Sequence, residues 1–110
     1  MKNPKITQIV LTVSPWMNEV QRRAILNAAA IAEIKIATLL DTSTAAALAY
    51  VKIHGDRFPD EKEKAVNVAL VDIGDTSMNV GIAKVSRHTV EMQSVATTKE
   101  ISGQLFTNLL

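Results

Sequence analysis

The sequence predicts an α/β protein in which a parallel β-α-β-α unit is followed by an antiparallel β-β-β meander and the start of a helix. Three observations predict it. Residues Ile6 to Leu40 read as strand, helix, strand. Asn67 to Val85 reads as strand, tight turn, strand. Between them, His54 to Lys64 carries Gly55, Pro59 and many charges, as a solvated loop does. A parallel unit followed by a meander does not suit one doubly wound sheet, so this loop separates two kinds of sheet.

Ile6 to Val13 alternates into a strand, and Ser14-Pro15 ends it because proline cannot donate to the ladder. Asn18 with Gln21 three residues later is a capping-box pattern, and the helix should run from Glu19 to about Glu33. Val20, Ala24, Ala28 and Ile31 share its apolar face, with Ile25 and Ala32 at the edge. Arg22, Arg23 and Glu33 fall opposite, and the two arginines read as solvent-facing charge. The run Ala28-Ala29-Ala30 permits close approach to a sheet. Ile34 to Leu40 is a second strand, parallel to the first across a right-handed crossover. Asp41-Thr42-Ser43 is a cap cluster for a short helix, Thr44 to Val51, made of strong helix formers.

Val68 to Val71 is a continuous apolar run rich in β-branched residues, as in a strand buried on both faces. Met78, Val80 and Ile82 alternate with Asn79, Gly81 and Ala83, the period of a half-buried strand. Ser86-Arg87-His88 is a turn, and Thr89 to Ala96 is a strand with Val90, Met92 and Ser94 on one face. Thr97 to Ile101 is a loop, and Ser102 to Leu110 starts a helix.

With 110 residues the chain suffices for one small domain. A net charge of +1 gives no general attraction to nucleic acid or to an anionic membrane. The absence of cysteine excludes disulfides and thiolate metal sites. Met1 to Lys5 precede an alternating strand and not an apolar leader segment, and no stretch is long enough to span a bilayer. His54 and His88 sit in expected loops as solvated side chains, and Met17, Met78 and Met92 read as core fillers. Trp16 reads as a buried lid on the first strand, and Asp60 to Lys64 as a mixed-charge solvated loop.

The turn Asp72-Ile73-Gly74-Asp75-Thr76-Ser77 is the one stretch that invites chemistry. Its amides and hydroxyls could cradle a phosphate while Asp72 holds a metal-bound water. By itself it reads first as an ordinary polar turn, because short turn motifs often match by chance.

Four blocks resemble the heat-shock protein 70 family. Thr44-Ala45-Ala46-Ala47-Leu48-Ala49-Tyr50 is similar to its T-A-A-A-L-A-Y run. Gln21-Arg22-Arg23-Ala24 resembles the Q-R-x-A after its V-P-A-Y-F segment. Asp72 to Ser77 falls where the family has D-L-G-G-G-T, and Ser102-Gly103-Gln104-Leu105-Phe106 resembles G-G-E-D-F. The spacing between blocks agrees along nearly the whole chain. The resemblance implies the actin-like ATPase fold, two ribonuclease-H-like lobes with ATP between them. Residues 1–52 would end lobe one, 53–66 would link, and 67–110 would begin lobe two. The family's first phosphate loop would precede Met1 and its adenosine segments would follow Leu110, making the chain a middle slice of the domain.

The resemblance assigns Gly74, Asp75, Thr76 and Ser77 to the phosphates and Asp72 to the metal. Ser14, Pro15, Thr42 and Ser43 would form a degenerate interlobe switch. The cofactor implied is ATP or ADP with Mg2+ in the intact domain, with none expected for this chain alone. Departures matter here: Asp75 and Thr76 replace the second and third glycines of the phosphate loop, and Asn79 replaces an aspartate. Thr42 and Ser43 replace the glutamate and proline of N-E-P-T, and the proline of V-P-A-Y stands one place late as Pro15. Together with Trp16 and the Gln21 to Leu26 helix start, these resemble the large heat-shock protein 110 branch and its endoplasmic-reticulum counterpart. That branch implies a nucleotide-exchange factor and holdase. Its partners would be an orthodox heat-shock protein 70 chaperone and unfolded polypeptides, with no nucleic acid and no membrane, in the cytoplasm or alternatively the endoplasmic-reticulum lumen. ATPase activity follows only from the family and is expected to be absent in this chain alone. The alternatives are a decayed paralogue or gene fragment without nucleotide binding, or a small structural or interaction domain.

Overall fold

The computed structural model describes residues 6–61 and 64–109. Strands β1 (Ile9–Val13) and β2 (Ile36–Asp41) form a parallel pair, joined by helix α1 (Glu19–Ile31). Helix α2 (Thr42–His54) follows β2 directly and ends in one 3-10 turn, Gly55–Arg57. Strands β3 (Val66–Ile73), β4 (Met78–Val85) and β5 (Val90–Thr98) form an antiparallel sheet in that order, and helix α3 (Gly103–Leu109) follows. The α/β class and the order of elements are as the sequence predicts. The expectations for Met1–Lys5, Lys62, Glu63 and Leu110 lie outside the described residues.

The capping box forms. The Asn18 side chain accepts from the Gln21 amide at 2.9 Å, and the Gln21 side chain accepts from the Asn18 amide at 3.0 Å. The helix stops at Ile31, short of Glu33, because a Schellman arrangement closes it. The Glu33 amide donates to Ala30 O at 3.1 Å and the Ile34 amide to Ala29 O at 2.9 Å. Glu33 consequently takes φ 57°, a left-handed conformation that normally falls to glycine. Since residues 33 and 34 complete this stop, β2 begins at Ile36 and not at Ile34.

The buried stripe of α1 is rotated from the expected one. Arg22, Ile25 and Ala29, at helical spacing, are partly covered, while Val20 and Ile31 are 78% and 85% exposed. The cause is Arg22, whose Nε donates to Met17 O at 3.1 Å and whose guanidinium pairs with Asp41. These bonds turn the first helical turn toward the strand ends and correct the expectation that Arg22 faces solvent.

Helix α2 starts two residues before Thr44 and runs past Val51 to His54, whose ring lies 4.7 Å from that of Tyr50 at a tilt of 53°, so His54 is not a loop residue. It lies on the antiparallel sheet and also reaches β1 and β2. Val51, Ala83 and Val85 make the buried core, ringed by Phe58, Val68, Leu70, Val90 and Met92. On β4 the covered side chains are Asn79, Gly81, Ala83 and Val85, the reverse of the Met78–Val80–Ile82 face the alternation suggests. The small residues are covered because α2 needs them: a Cβ on Gly81 would stand 3.7 Å from the Ser43 Cβ and 3.0 Å from the Met92 methyl. β3 is not buried on both faces. Val68 and Leu70 are partly covered, but Val71 is 62% exposed, since no described element overlies the outer face. Val90 and Met92 face the core as expected. A bulge then pairs Ala83 with Met92 and Ile82 with Ser94, so Ser94 is exposed. β5 also continues through Thr97 and Thr98, shortening the expected loop.

Candidate functional site

The turn between β3 and β4 closes with the Gly74 amide donating to Ser77 O at 2.9 Å. Gly74 has no positive φ, so a glycine is suited to the position by room and not by backbone freedom. A Cβ there would stand 3.3 Å from Ser77 O. The first two amides of α3 tie the turn down, Gly103 N donating to Gly74 O and Gln104 N to Asp75 O, each at 2.9 Å. Those amides are spent inside the protein. Among the described residues, no backbone carbonyl takes the amides of Asp75, Thr76 or Ser77.

Behind the turn a polar ladder crosses all three strands. Asp72 is paired with Asn79, and Asn79 with Thr97. Asn79 is 6% exposed, donates through Nδ2 to Asp72 Oδ2 at 3.4 Å and accepts from Thr97 Oγ1 at 2.8 Å. Burying an amide without partners would be costly, so the ladder is the condition on which a polar residue occupies this face. Asp72 itself is exposed and keeps an oxygen for other use. Among the described residues no three His, Cys, Asp or Glu side chains gather into a metal cluster. That donor set fits a hydrated Mg2+, which keeps its waters and takes one or two carboxylates together with phosphate oxygens.

Thr42 and Ser43 are the first two residues of α2. Ser43 is buried over Gly81, which lies two residues from Asn79 on the same face. The start of α2 therefore lies toward the ladder. Thr42 Oγ1 is buried with no hydrogen-bond partner among the described residues. Ser14 and Pro15 continue β1, half-buried, with Ser14 O accepting from the Met17 amide at 3.1 Å. Because Val13 pairs with Asp41, these two lie beside the start of α2. The structure thus gathers Asp72, Gly74, Asp75, Thr76 and Ser77 at one end of the antiparallel sheet, and Ser14, Pro15, Thr42 and Ser43 at the ends of the parallel pair.

Two features escape a reading of the sequence. Asp41 is the N-cap of α2 by backbone, yet its side chain makes no capping bond because Arg22 holds it. The expected cap cluster is corrected accordingly; the partners are nineteen residues apart and no local pattern joins them. Trp16 is not a buried lid. It is 39% exposed, with the Lys99 ammonium over its ring, 4.0 Å from the centroid.

The resolved pKa shifts lie at the other end of the sheet. The hydrogen bond from Arg87, and then its charge, hold the Asp60 carboxyl below its ordinary value; the same contacts raise Arg87. His88 is exposed nearby, with Nε2 3.8 Å from Asp60.

Comparison with known proteins bears on all of this. A family profile described as "Hsp70 protein" matches residues 1–110. A heat shock protein homolog of Eremothecium gossypii is 34% identical over 102 residues, 93% of this chain and 14% of that protein. "Heat shock protein hsp88" of Neurospora crassa is 32% identical over 96% of this chain and 15% of its own length. "Heat shock protein 110" of Caenorhabditis elegans is 32% identical over 96% of this chain and 14% of its own length. The chain thus spans about a seventh of the length of these relatives.

Proposed function

The chain belongs to the heat-shock protein 70 family and shares the character of its large heat-shock protein 110 branch, and on that premise we propose that the Gly74–Ser77 turn faces nucleotide phosphate. The matched region is that of a chaperone nucleotide-binding domain with a partial actin-like ATPase fold. Asp75, Thr76 and Ser77 would offer their amides to ATP or ADP, and Asp72 would hold the water shell of Mg2+. The observation that carries this reading is the pinning of the turn by the Gly103 and Gln104 amides, which leaves those three amides without backbone acceptors. Ser14, Pro15, Thr42 and Ser43 stand as a weakened switch between the lobes, with the lobe boundary at residues 53–66, between the two sheets.

For the whole protein we propose the work of the large branch: exchange of nucleotide on an orthodox heat-shock protein 70 chaperone and holding of unfolded polypeptide. Relatives named as heat shock proteins support that reading. Asp75 and Thr42 set the strength of nucleotide binding. A carboxylate beside the phosphates repels them, and a hydroxyl cannot supply the negative charge a hard cation needs.

Calorimetric titration of the chain with Mg-ATP tests this. A dissociation constant in the millimolar range is expected, about −4 kcal/mol of binding free energy, with no phosphate released. A micromolar constant would overturn the weakened-loop reading. No binding at millimolar nucleotide would favour the second reading, a family member that has lost nucleotide. The charge of Asp75 and the unpartnered Thr42 hydroxyl are the observations in favour of that reading.

A further inference from the structure

β5 pairs with β4 as far as Thr98 opposite Met78, so Lys99 follows directly on the last pair, at the end of the sheet where the turn lies. Neighbouring strands are about 4.8 Å apart, within the span of a lysine side chain. The chain before Lys99 is bonded to the ladder behind the turn, and the chain after it to the turn itself. Thr97 donates to Asn79 and Asn79 to Asp72, while Gly103 and Gln104 donate to Gly74 O and Asp75 O. Lys99 stands in the bend that follows β5, two residues beyond Thr97 of the ladder. Its ammonium rests on Trp16 of the β1–α1 loop. No carboxylate of the described residues lies within ion-pair distance of Lys99. A ring face attracts an ammonium without neutralising it. The lysine is therefore without a carboxylate partner among the described residues, near a turn to which Asp75 adds an acidic side chain.

We propose that Lys99 is a phosphate-binding residue of this turn, that its charge offsets Asp75, and that Trp16 holds it in place until an anion takes it. The proposal rests on the reading of the turn as a phosphate site. Phosphate oxygens offer an ammonium charge-assisted hydrogen bonds, stronger than its contact with a half-exposed ring. Binding therefore moves Lys99 off the Trp16 face. Trp16 is the single tryptophan of the chain, so its emission reads that departure without background.

The test titrates the chain with inorganic tripolyphosphate and Mg2+, following Trp16 emission and the 31P resonances in the same sample. In the native chain both signals should change together and saturate. Lys99→Gln should weaken binding about tenfold, the loss of one charge-assisted contact, and abolish the emission change. Lys99→Arg should keep both, which separates a charge role from a fold defect, and circular dichroism checks each variant. Equal affinity in the native chain and Lys99→Gln would overturn the assignment of Lys99 while leaving the turn as a phosphate site. A saturating 31P change with constant emission would overturn the role of Trp16. No 31P change in the native chain would overturn the reading of the turn and this proposal with it.

Discussion

At Asp75 a carboxylate stands in the turn proposed to face phosphate, and the structure shows which bonds of the turn its side chain leaves untouched. The residue is exposed, and its carbonyl is used by the Gln104 amide whatever the side chain. Replacing it by glycine therefore removes charge and Cβ without removing a bond that holds the turn. Two like charges 4 Å apart repel by about 4 kcal/mol at an effective dielectric near 20, but an exposed charge is screened toward about 1 kcal/mol. Asp75→Gly is expected to tighten Mg-ATP binding by roughly five- to tenfold at low salt, with the gain shrinking as ionic strength rises. A 31P titration at two salt concentrations measures it. Unchanged or weaker affinity would mean that the turn points away from the phosphates. Glu33 is a second residue whose conformation departs from its type. At φ 57° it occupies the glycine position of a Schellman stop. Glu33→Gly should raise stability by about 0.5–1 kcal/mol, measured by urea denaturation, because the left-handed strain outweighs the added freedom of the unfolded glycine. A loss of stability would show that the Glu33 side chain makes a contact worth more than the strain.

At the scale of elements, what the sequence reveals is the order of strands and helices, because each follows from a local period, a cap or a proline. The α1 start is readable from Asn18 and Gln21 alone. Which face of an element is covered is less readable, because that depends on what lies across from it. Arg22 turns α1 by pairing with Asp41, and α2 selects the Gly81–Ala83 side of β4 over the larger Met78–Val80–Ile82 side. Neither partner is near in sequence. The candidate turn was legible from Asp72 to Ser77, whereas the Asp72–Asn79–Thr97 ladder and the Trp16–Lys99 contact required the register of three strands. A further tie joins the loop after the 3-10 turn to the β4–β5 turn: Arg87 donates to Asp60 through its side chain at 2.9 Å and to Pro59 O through its amide at 2.9 Å. Arg87 lowers the folded-state pKa of Asp60, so the tie is present above the unfolded carboxyl value, about 3.9. It is lost as pH falls through the lower folded value. An NMR titration should place the Asp60 midpoint below that value, and Arg87→Gln should return it upward. A midpoint unmoved by that substitution would mean the pair does not persist in solution.

The molecule as a whole buries little for its length. Its accessible surface is 8249 Å², against about 5,900 Å² for a compact monomer of 11.9 kDa. Its radius of gyration is 16.9 Å, against about 13 Å expected for a chain of 110 residues. Among the described residues the buried apolar side chains are Val13, Ala47, Val51, Ala83 and Val85, only one of which, Val13, lies in the parallel pair. The sheet edges at β3 and β5 are unpaired among the described residues, and so are both outer edges of the β1–β2 pair. Large side chains stand beside them in water, Val71 at 62% and Ile73 at 53% exposed on β3. Less surface is therefore withdrawn from water to offset an ordering cost of about 1–2 kcal/mol per residue. Open apolar edges also template pairing with other chains. The 110-residue chain on its own should therefore be marginally stable or self-associating, with less than about 5 kcal/mol of unfolding free energy. Light scattering across a concentration series, with urea denaturation of the same samples, measures both. Association should strengthen with salt, as edge and apolar contacts do, and charge substitutions on β3 such as Val71→Lys should suppress it. A monodisperse monomer with one cooperative transition above about 5 kcal/mol would show that the two sheets share a complete core, and that α2 binds them more firmly than its buried residues indicate.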